Sequence, residues 1–120
     1  MKILAAFLAL ALPVLDMSAQ SLRTVQQKIS DGVLEGVVSA DGKVRTFKGI
    51  PFAAPPVGAL RWKPPQPVQP WSGVRPAKDF GPRPMQGRIY DDMVFHDSGP
   101  SEDCLYLNVW IPEGQPQKKL

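Results

Sequence analysis

The clearest hydrophobic pattern in the chain is an alternation between Leu105 and Ile111. One face carries Leu105, Leu107, Val109 and Ile111, and the other carries Tyr106, Asn108 and Trp110. A period of two residues indicates a β-strand that buries one of its faces. Because such a strand needs neighbouring strands to cover its apolar side, the pattern predicts part of a larger sheet.

Three further strands are predicted between Thr24 and Phe52. The β-prone runs are VQQKI, VLEGVV and KVRTFKGIPF, and Asp41 and Gly42 separate the last two. An Asp-Gly pair between such runs is a strong hairpin signal, because its tight turn needs positive φ at both central residues. We therefore expect a small antiparallel meander.

A proline-rich stretch follows, with ten prolines among the 34 residues from Pro51 to Pro84. Each proline removes a backbone donor and biases the preceding residue towards extended geometry, so no regular helix or central strand is expected. Four aromatic residues punctuate the stretch, namely Phe52, Trp62, Trp71 and Phe80. They favour a belt pinned to a larger body over a flexible linker.

The PxxP spacing in KPPQP also matches ligands of polyproline-binding domains. Those domains are expected in the cytosol, whereas this chain has the features of a secreted protein, so the ligand interpretation is the weaker one.

The N-terminal residues have the pattern of a secretory signal peptide. Lys2 is followed by an apolar run from Ile3 to Leu12, and small residues stand at Ser18 and Ala19. The run is too short to span a bilayer, which takes about 20 residues. We therefore predict a signal over residues 1–19, a secreted or periplasmic protein, and no stable membrane span once the signal is removed. A retained helix is the alternative.

The charge of the chain argues against a nucleic-acid partner. The formal charge is +3, and removal of residues 1–19 leaves it unchanged because Lys2 and Asp16 are lost together. The charges are spread along the chain, whereas nucleic-acid binding favours a basic patch with interleaved aromatic residues.

A polar loop from Gly87 to Pro100 contains Asp91, Asp92, His96 and Asp97. Carboxylates beside a histidine are compatible with a metal or acid–base site. Because these residues lack helical spacing, solvated loop charges are the more usual outcome of such a pattern, and we assign no metal site.

Three sequence blocks resemble the type B carboxylesterase family, the cholinesterase-like branch of the α/β-hydrolases. The most specific block is the family signature at Glu102, Asp103, Cys104, Leu105, Tyr106, Leu107 and Asn108. Phe47 to Pro67 and Asp79 to Gln86 resemble two earlier blocks, so the resemblance covers about Gly32 to Pro112. It implies an α/β fold, of which this chain would supply the β-meander, the proline-rich belt and an early strand of the central sheet.

The resemblance also implies a structural ion pair between Arg61 and Glu102, because the family pairs an arginine and a glutamate at these positions. A guanidinium is a rigid donor for a carboxylate, and the belt must be fastened to the strand. We predict that the pair is buried, so that Arg61→Ala sharply lowers the melting temperature of the full-length protein. Two surface charges without contact are the alternative.

The chain departs from the family pattern at two positions. Pro84 stands where the family usually places a cysteine that pairs with the cysteine of its Glu-Asp-Cys motif, so Cys104 has no partner within residues 1–120. We expect Cys104 to be buried and inert, with pairing outside these residues or to another chain as the alternative. Val94 stands about where cholinesterases carry a tryptophan that faces a quaternary ammonium group, which argues against choline esters.

The resemblance implies ester hydrolysis by a serine nucleophile, a histidine base and an acidic partner, with backbone donors at the oxyanion. Residues 1–120 contain neither Gly-x-Ser-x-Gly nor His-Gly-Gly, so no residue is assigned a catalytic role. We expect the N-terminal portion of a secreted serine esterase that acts on small carboxylic esters without a cofactor, with its catalytic residues downstream. A related binding or adhesion module that has lost the nucleophile is the alternative.

The expected domain organisation follows from the same resemblance. Residues 20–120 are expected to begin a carboxylesterase domain that continues beyond Leu120. Because the apolar face of the strand at Leu105–Ile111 would then lack its cover, residues 20–120 expressed alone should fold poorly.

Overall fold

A computed structural model describes residues 22–87 and 90–114. The predicted signal peptide over residues 1–19 lies outside the described residues. The described chain forms strands β1 (Thr24–Ile29), β2 (Gly32–Val38), β3 (Val44–Pro51), β4 (Val74–Pro76) and β5 (Tyr106–Pro112), with a 3₁₀ turn at Gly58–Leu60. Within these residues, no helix is long and apolar enough to cross a bilayer.

The first three strands form the antiparallel meander that the sequence predicts. β1 pairs with β2 along its whole length, and β2 pairs with β3 through its last two residues. The expected positive φ at both Asp41 and Gly42 is wrong, because only Gly42 has it, with a φ of 70° that glycine adopts without strain. The N–H of Gly42 donates to Ser39 O at 2.8 Å, so Ala40 and Asp41 are the central residues of the turn. The Asp41 carboxylate accepts a hydrogen bond from the Ser39 hydroxyl, which lowers the pKa of Asp41.

Strand β5 lies antiparallel beside β3, giving the order β1-β2-β3-β5, and β4 pairs in parallel with β2 off this path. The pairing of β3 and β5 shifts register between Phe47 and Ile50, which marks a β-bulge. Gly49 in the bulge has a φ of 65°, and its N–H donates to Asn108 Oδ1 at 2.9 Å. The asparagine side chain thus satisfies a backbone donor that lies within the irregular pairing.

The core of the described sheet is small. Its buried side chains are Leu34, Phe47, Ile50 and Ala77, with Val25, Ile29, Trp71, Val109 and Ile111 packed against them. Gly36 leaves room for Phe47, since a Cβ at Gly36 would lie 2.6 Å from the ring. Val109 and Ile111 contact the core as the alternation predicts. Leu107, predicted on the same face, is 39% exposed and is not part of the described core.

The proline-rich belt is irregular over most of its length, as predicted, but it also contains strand β4. The three residues of β4 pair with β2, a contact that the proline content did not predict. Pro76 ends β4, and the next N–H, that of Ala77, donates to Glu35 O at 2.7 Å. In this parallel pairing the bond to Glu35 O comes from Ala77, so the ladder needs no donor from Pro76 and proline is tolerated there.

Two of the four aromatic residues in the belt act as anchors among the described residues. Trp71 packs against the core and donates its indole N–H to a β2 carbonyl at 3.1 Å. Phe80 packs near Trp110, with ring centroids 6.4 Å apart. Trp62 is 95% exposed and Phe52 is more than half exposed, so neither pins the belt to this part of the sheet.

Candidate functional site

The polar residues of the family signature hold the start of β5 in place. The Tyr106 hydroxyl donates to Asp103 Oδ2 at 2.9 Å, and the N–H of Asp103 donates to Ser101 Oγ at 3.1 Å. The N–H of Tyr106 donates to Cys104 O at 3.0 Å. Together with the bond from the bulge to Asn108, these contacts give the signature a structural role in the described chain.

Arg61 and Glu102 are brought together across 41 residues of sequence. Arg61 Nη2 faces both carboxylate oxygens of Glu102, and this hydrogen bond raises the pKa of the Arg61 guanidinium. The side chains are 52% and 47% exposed, so the predicted burial of the pair is wrong in the described structure. Arg61 follows directly after the 3₁₀ turn Gly58–Leu60, which contains no buried residue.

Cys104 is partly exposed, so its predicted full burial is also wrong, and it forms no disulfide with a described residue. Cys104 and Pro84 line the same two cavities, which places them in one neighbourhood. This is the neighbourhood in which the family resemblance implies a cysteine pair, and proline at residue 84 cannot form that bond.

One of these cavities, of about 310 Å³, lies between residues 80–84, residues 94–97 and strand β5. His96 and Cys104 are among its lining residues. Val94, which is 76% exposed, also lines it. A nucleophilic site needs its nucleophile within hydrogen-bond reach of a base, and no hydrogen bond joins these two described side chains. The described residues of this cavity therefore show no hydrogen-bonded pair of nucleophile and base.

The loop carboxylates and His96 do not form the metal site considered from the sequence. Among residues 22–87 and 90–114, no three His, Cys, Asp or Glu side chains lie close enough to hold a metal ion. Asp92 and His96 are exposed, and Asp97 is paired with Arg83.

The ion pair between Arg83 and Asp97 was missed by the sequence analysis. The side chains are only 23% and 10% exposed. The guanidinium carbon of Arg83 also lies 4.1 Å from the centroid of the Phe95 ring. Opposite charges 14 residues apart in an irregular loop follow no helix or strand period, so no sequence pattern identified the pair.

Comparisons with known proteins agree on one family. The model of the carboxylesterase family matches residues 21–120. The chain is 49% identical over 82 residues to fumonisin B1 esterase of Sphingopyxis macrogoltabida, which covers 68% of the chain and 14% of that protein. It is 41% identical over 103 residues to cocaine esterase of Homo sapiens, which covers 79% of the chain and 18% of that protein.

Solved structures give the same result for the fold. A Geobacillus stearothermophilus carboxylesterase superposes with a TM-score of 0.64 at 40% identity, over 78% of this chain and 17% of that one. A thermophilic pNB esterase superposes with a TM-score of 0.61 at 34% identity, over 78% of this chain and 19% of that one. The chain therefore spans less than one fifth of the length of these four proteins.

Proposed function

Because the chain belongs to the carboxylesterase family, we propose that the protein it contributes to hydrolyses carboxylic esters. The observation that carries this proposal is the family match across residues 21–120, with 49% identity to an esterase over 82 residues. The signature from Glu102 to Asn108 lies inside the matched region. Its contacts support a role in the scaffold of the enzyme rather than at the reacting atoms.

The reaction class we propose is acyl transfer through a serine nucleophile. The serine oxygen attacks the ester carbonyl carbon while a histidine takes the hydroxyl proton, and the histidine then returns that proton to the leaving alcohol. Water attacks the acyl-enzyme by the same route and releases the carboxylic acid. Backbone N–H groups stabilise the oxyanion in both steps, and the chemistry requires no cofactor.

The serine, histidine and acidic residue of this mechanism are assigned to the part of the protein outside residues 1–120. The chain has no Gly-x-Ser-x-Gly motif, and it spans only 14% of the length of the esterase to which it is 49% identical. We therefore give the described residues a supporting role: they fix the first strands of the sheet and the belt that crosses them.

The proposed substrates are small uncharged carboxylic esters. Val94 offers an aliphatic side chain in the lining of the 310 Å³ cavity. An aliphatic side chain cannot provide the cation–π contact that a quaternary ammonium group gains over an aromatic ring. This supports neutral esters over choline esters.

The substrate proposal is tested with a matched pair of esters, acetylcholine and its neutral carbon analogue 3,3-dimethylbutyl acetate. The full-length protein, meaning the protein as its gene encodes it, should hydrolyse the neutral ester with a kcat/KM at least equal to that for acetylcholine. Val94→Trp should then raise the ratio in favour of acetylcholine by roughly 2- to 10-fold if the position faces the alcohol group. A strong preference of the unaltered protein for acetylcholine would contradict the substrate proposal, and hydrolysis of neither ester would contradict the esterase proposal.

We further propose that the protein is exported and that residues 1–19 form its cleaved signal. The support is the basic Lys2, the apolar run from Ile3 to Leu12 and the small residues Ser18 and Ala19. Native protein collected from outside the cytoplasm should begin close to Gln20 when its N-terminus is sequenced. Mature protein that still begins at Met1 would contradict the export proposal and would leave the esterase proposal standing.

A further inference from the structure

We propose that the Arg83–Asp97 pair is a non-covalent anchor that holds the segment Phe95–Ser101 over the cavity containing the Cys104 thiol. The segment has no helix or strand of its own. Its position therefore depends on a few contacts with neighbouring residues. Most of the described contacts are made by Arg83.

Arg83 holds the segment through both its side chain and its backbone. The guanidinium pairs with Asp97 and lies 4.1 Å from the centroid of the Phe95 ring. The N–H of Arg83 donates to Gly99 O at 3.3 Å, and its carbonyl accepts the N–H of Ser101 at 2.9 Å. The side chain thus fixes the beginning of the segment and the backbone fixes its end.

Asp97 adds a contact within the segment, because its Oδ1 also accepts the N–H of Gly99 at 2.8 Å. Its side chain is 10% exposed, so solvent and salt screen this carboxylate less than they screen a surface carboxylate. A charge-assisted hydrogen bond in such surroundings is stronger than an exposed ion pair. Neutralising either charge should therefore release the segment measurably.

Cys104 is the natural reporter of this release. Arg83, Phe95, Asp97 and Cys104 all line the same cavity of about 310 Å³. Moving the segment away from Arg83 would open this cavity and allow a reagent to reach the sulfur. The anchor thus lies beside Pro84, where the family resemblance implies a disulfide to residue 104. It would control access from this cavity to Cys104, which is partly exposed and forms no disulfide with a described residue.

The test measures the alkylation rate of Cys104 by N-ethylmaleimide in the folded full-length protein at fixed pH, with the Cys104 peptide quantified by mass spectrometry. The variants are Arg83→Met, Asp97→Asn and the double variant. Asp97→Asn keeps an oxygen that accepts the Gly99 N–H, so only the charge is lost. Each single variant should raise the rate roughly tenfold, and the double variant should add little because both substitutions break one interaction.

If the substitutions acted only by changing the charge near the thiol, the two single variants would change the alkylation rate in opposite directions. The rate of Arg83→Met therefore distinguishes an effect of charge from an effect of access. Removing a cation near a thiol disfavours the reactive thiolate and would slow alkylation, whereas removing an anion would speed it. Faster alkylation in both single variants therefore requires better access. Opposite effects of Arg83→Met and Asp97→Asn, additive effects in the double variant, or unchanged rates would each overturn the anchor.

Two controls separate the anchor from general destabilisation. Arg45→Met makes the same arginine substitution in an ion pair remote in sequence, in which Arg45 Nε lies 3.2 Å from Glu113 Oε1 without donating a hydrogen bond. Arg45 is 28% exposed, close to the 23% of Arg83, and its substitution should leave the Cys104 rate unchanged. Arg83→Lys keeps the charge, so its Cys104 alkylation rate should lie between those of the unaltered protein and Arg83→Met. A rate equal to that of Arg83→Met would contradict the role of the ion pair. If Arg83→Met does not fold, Arg83→Lys and Asp97→Asn carry the test. No ester is used, so the outcome is independent of the proposed function.

Discussion

At the scale of single residues, Gly81 and Gly87 differ in the space available for a side chain. A Cβ at Gly81 would lie 2.6–2.8 Å from atoms of Tyr106, because the phenol ring packs directly on the Gly81 backbone. A Cβ at Gly87 would meet open space among the described residues. Both glycines lack positive φ, so they differ in contact and not in backbone strain.

Gly81→Ala should therefore destabilise the full-length protein by about 1–3 kcal/mol, the usual cost of forcing extra volume into a packed site. Gly87→Ala is the matched control and should change the free energy of unfolding by no more than about 0.5 kcal/mol. Urea denaturation of both variants measures the difference. Equal effects of the two substitutions would contradict the packing of Tyr106 on Gly81.

Because the Arg61–Glu102 pair is exposed, its loss should lower the melting temperature less than the loss of the buried pair expected from the sequence. Solvent screens a pair whose members are about half exposed, so Arg61→Met should lower the melting temperature less than Gly81→Ala does. The loss should shrink further in about 1 M salt, where the screening length is about 3 Å. A large, salt-independent loss would show that the rest of the protein buries this pair.

Tyr106 gives a prediction for alkaline pH. Burial, and then the hydrogen bond to Asp103, raise the pKa of Tyr106 above its ordinary value of 10.0. A group whose pKa is raised in the folded state contributes stability that is complete below the unfolded-state pKa and is lost as pH rises through the folded-state pKa. Tyr106→Phe should therefore lower the melting temperature at neutral pH and flatten its decline above about pH 10. Parallel melting curves for both proteins from about pH 8 to pH 11 would contradict this account.

At the scale of elements, the regular features were predictable from the sequence and the irregular ones were not. The meander β1–β3 and strand β5 follow from residue alternation and from the Asp41-Gly42 turn, which are local signals. The bulge at Gly49 and the pairing of β4 with β2 depend on the partner strand, so no local period reports them. The solved relatives confirm the predicted fold class, the N-terminal part of an α/β-hydrolase.

The same division applies to the candidate site. The contact between Arg61 and Glu102 was expected through the family resemblance, but its exposure depends on how the belt turns. The pair of Arg83 and Asp97 lies in an irregular loop, where neither spacing nor composition predicts contact. The sequence thus predicted the contact between Arg61 and Glu102, whereas the exposed fraction of the two side chains depends on the fold.

Trp71 joins the belt to β2, so its substitution should lower the free energy of unfolding. Its ring packs over Gly32, where a Cβ would lie 2.4 Å from Nε1, and its indole N–H donates to Val33 O at 3.1 Å. Trp71→Phe keeps most of the packing and removes the donor, which should cost about 1 kcal/mol. Trp71→Ala should cost about 3 kcal/mol, the lower end for a buried tryptophan, because Trp71 is only partly buried.

The control for Trp71 is the same Trp→Phe exchange at Trp62. That side chain is 95% exposed in the described structure, so its replacement should cost less than about 0.5 kcal/mol there. Denaturant unfolding of the full-length variants compares the two positions. Equal costs at both tryptophans would contradict the assignment of Trp71 as the belt anchor.

At the scale of the whole molecule, the described sheet buries few apolar side chains. The buried hydrophobic residues among those described are Leu34, Val38, Phe47, Ile50, Ala53 and Ala77. Strand β5 also leaves Leu107 and Trp110 substantially exposed. Residues 20–120 expressed alone should therefore give little amide protection in hydrogen exchange, because so small a core offsets little conformational entropy. Strong protection across β3 and β5 would contradict this prediction.

The central proposal is that the full-length protein hydrolyses esters through a serine nucleophile. The most direct test is to titrate it with a fluorophosphonate while following hydrolysis of p-nitrophenyl acetate and the intact mass. We predict that activity falls to zero as one phosphonyl group per chain is added, and that this group is attached to a serine outside residues 1–120. A protein that neither hydrolyses the ester nor takes up the label would contradict the claim and would point to a binding module on the same scaffold.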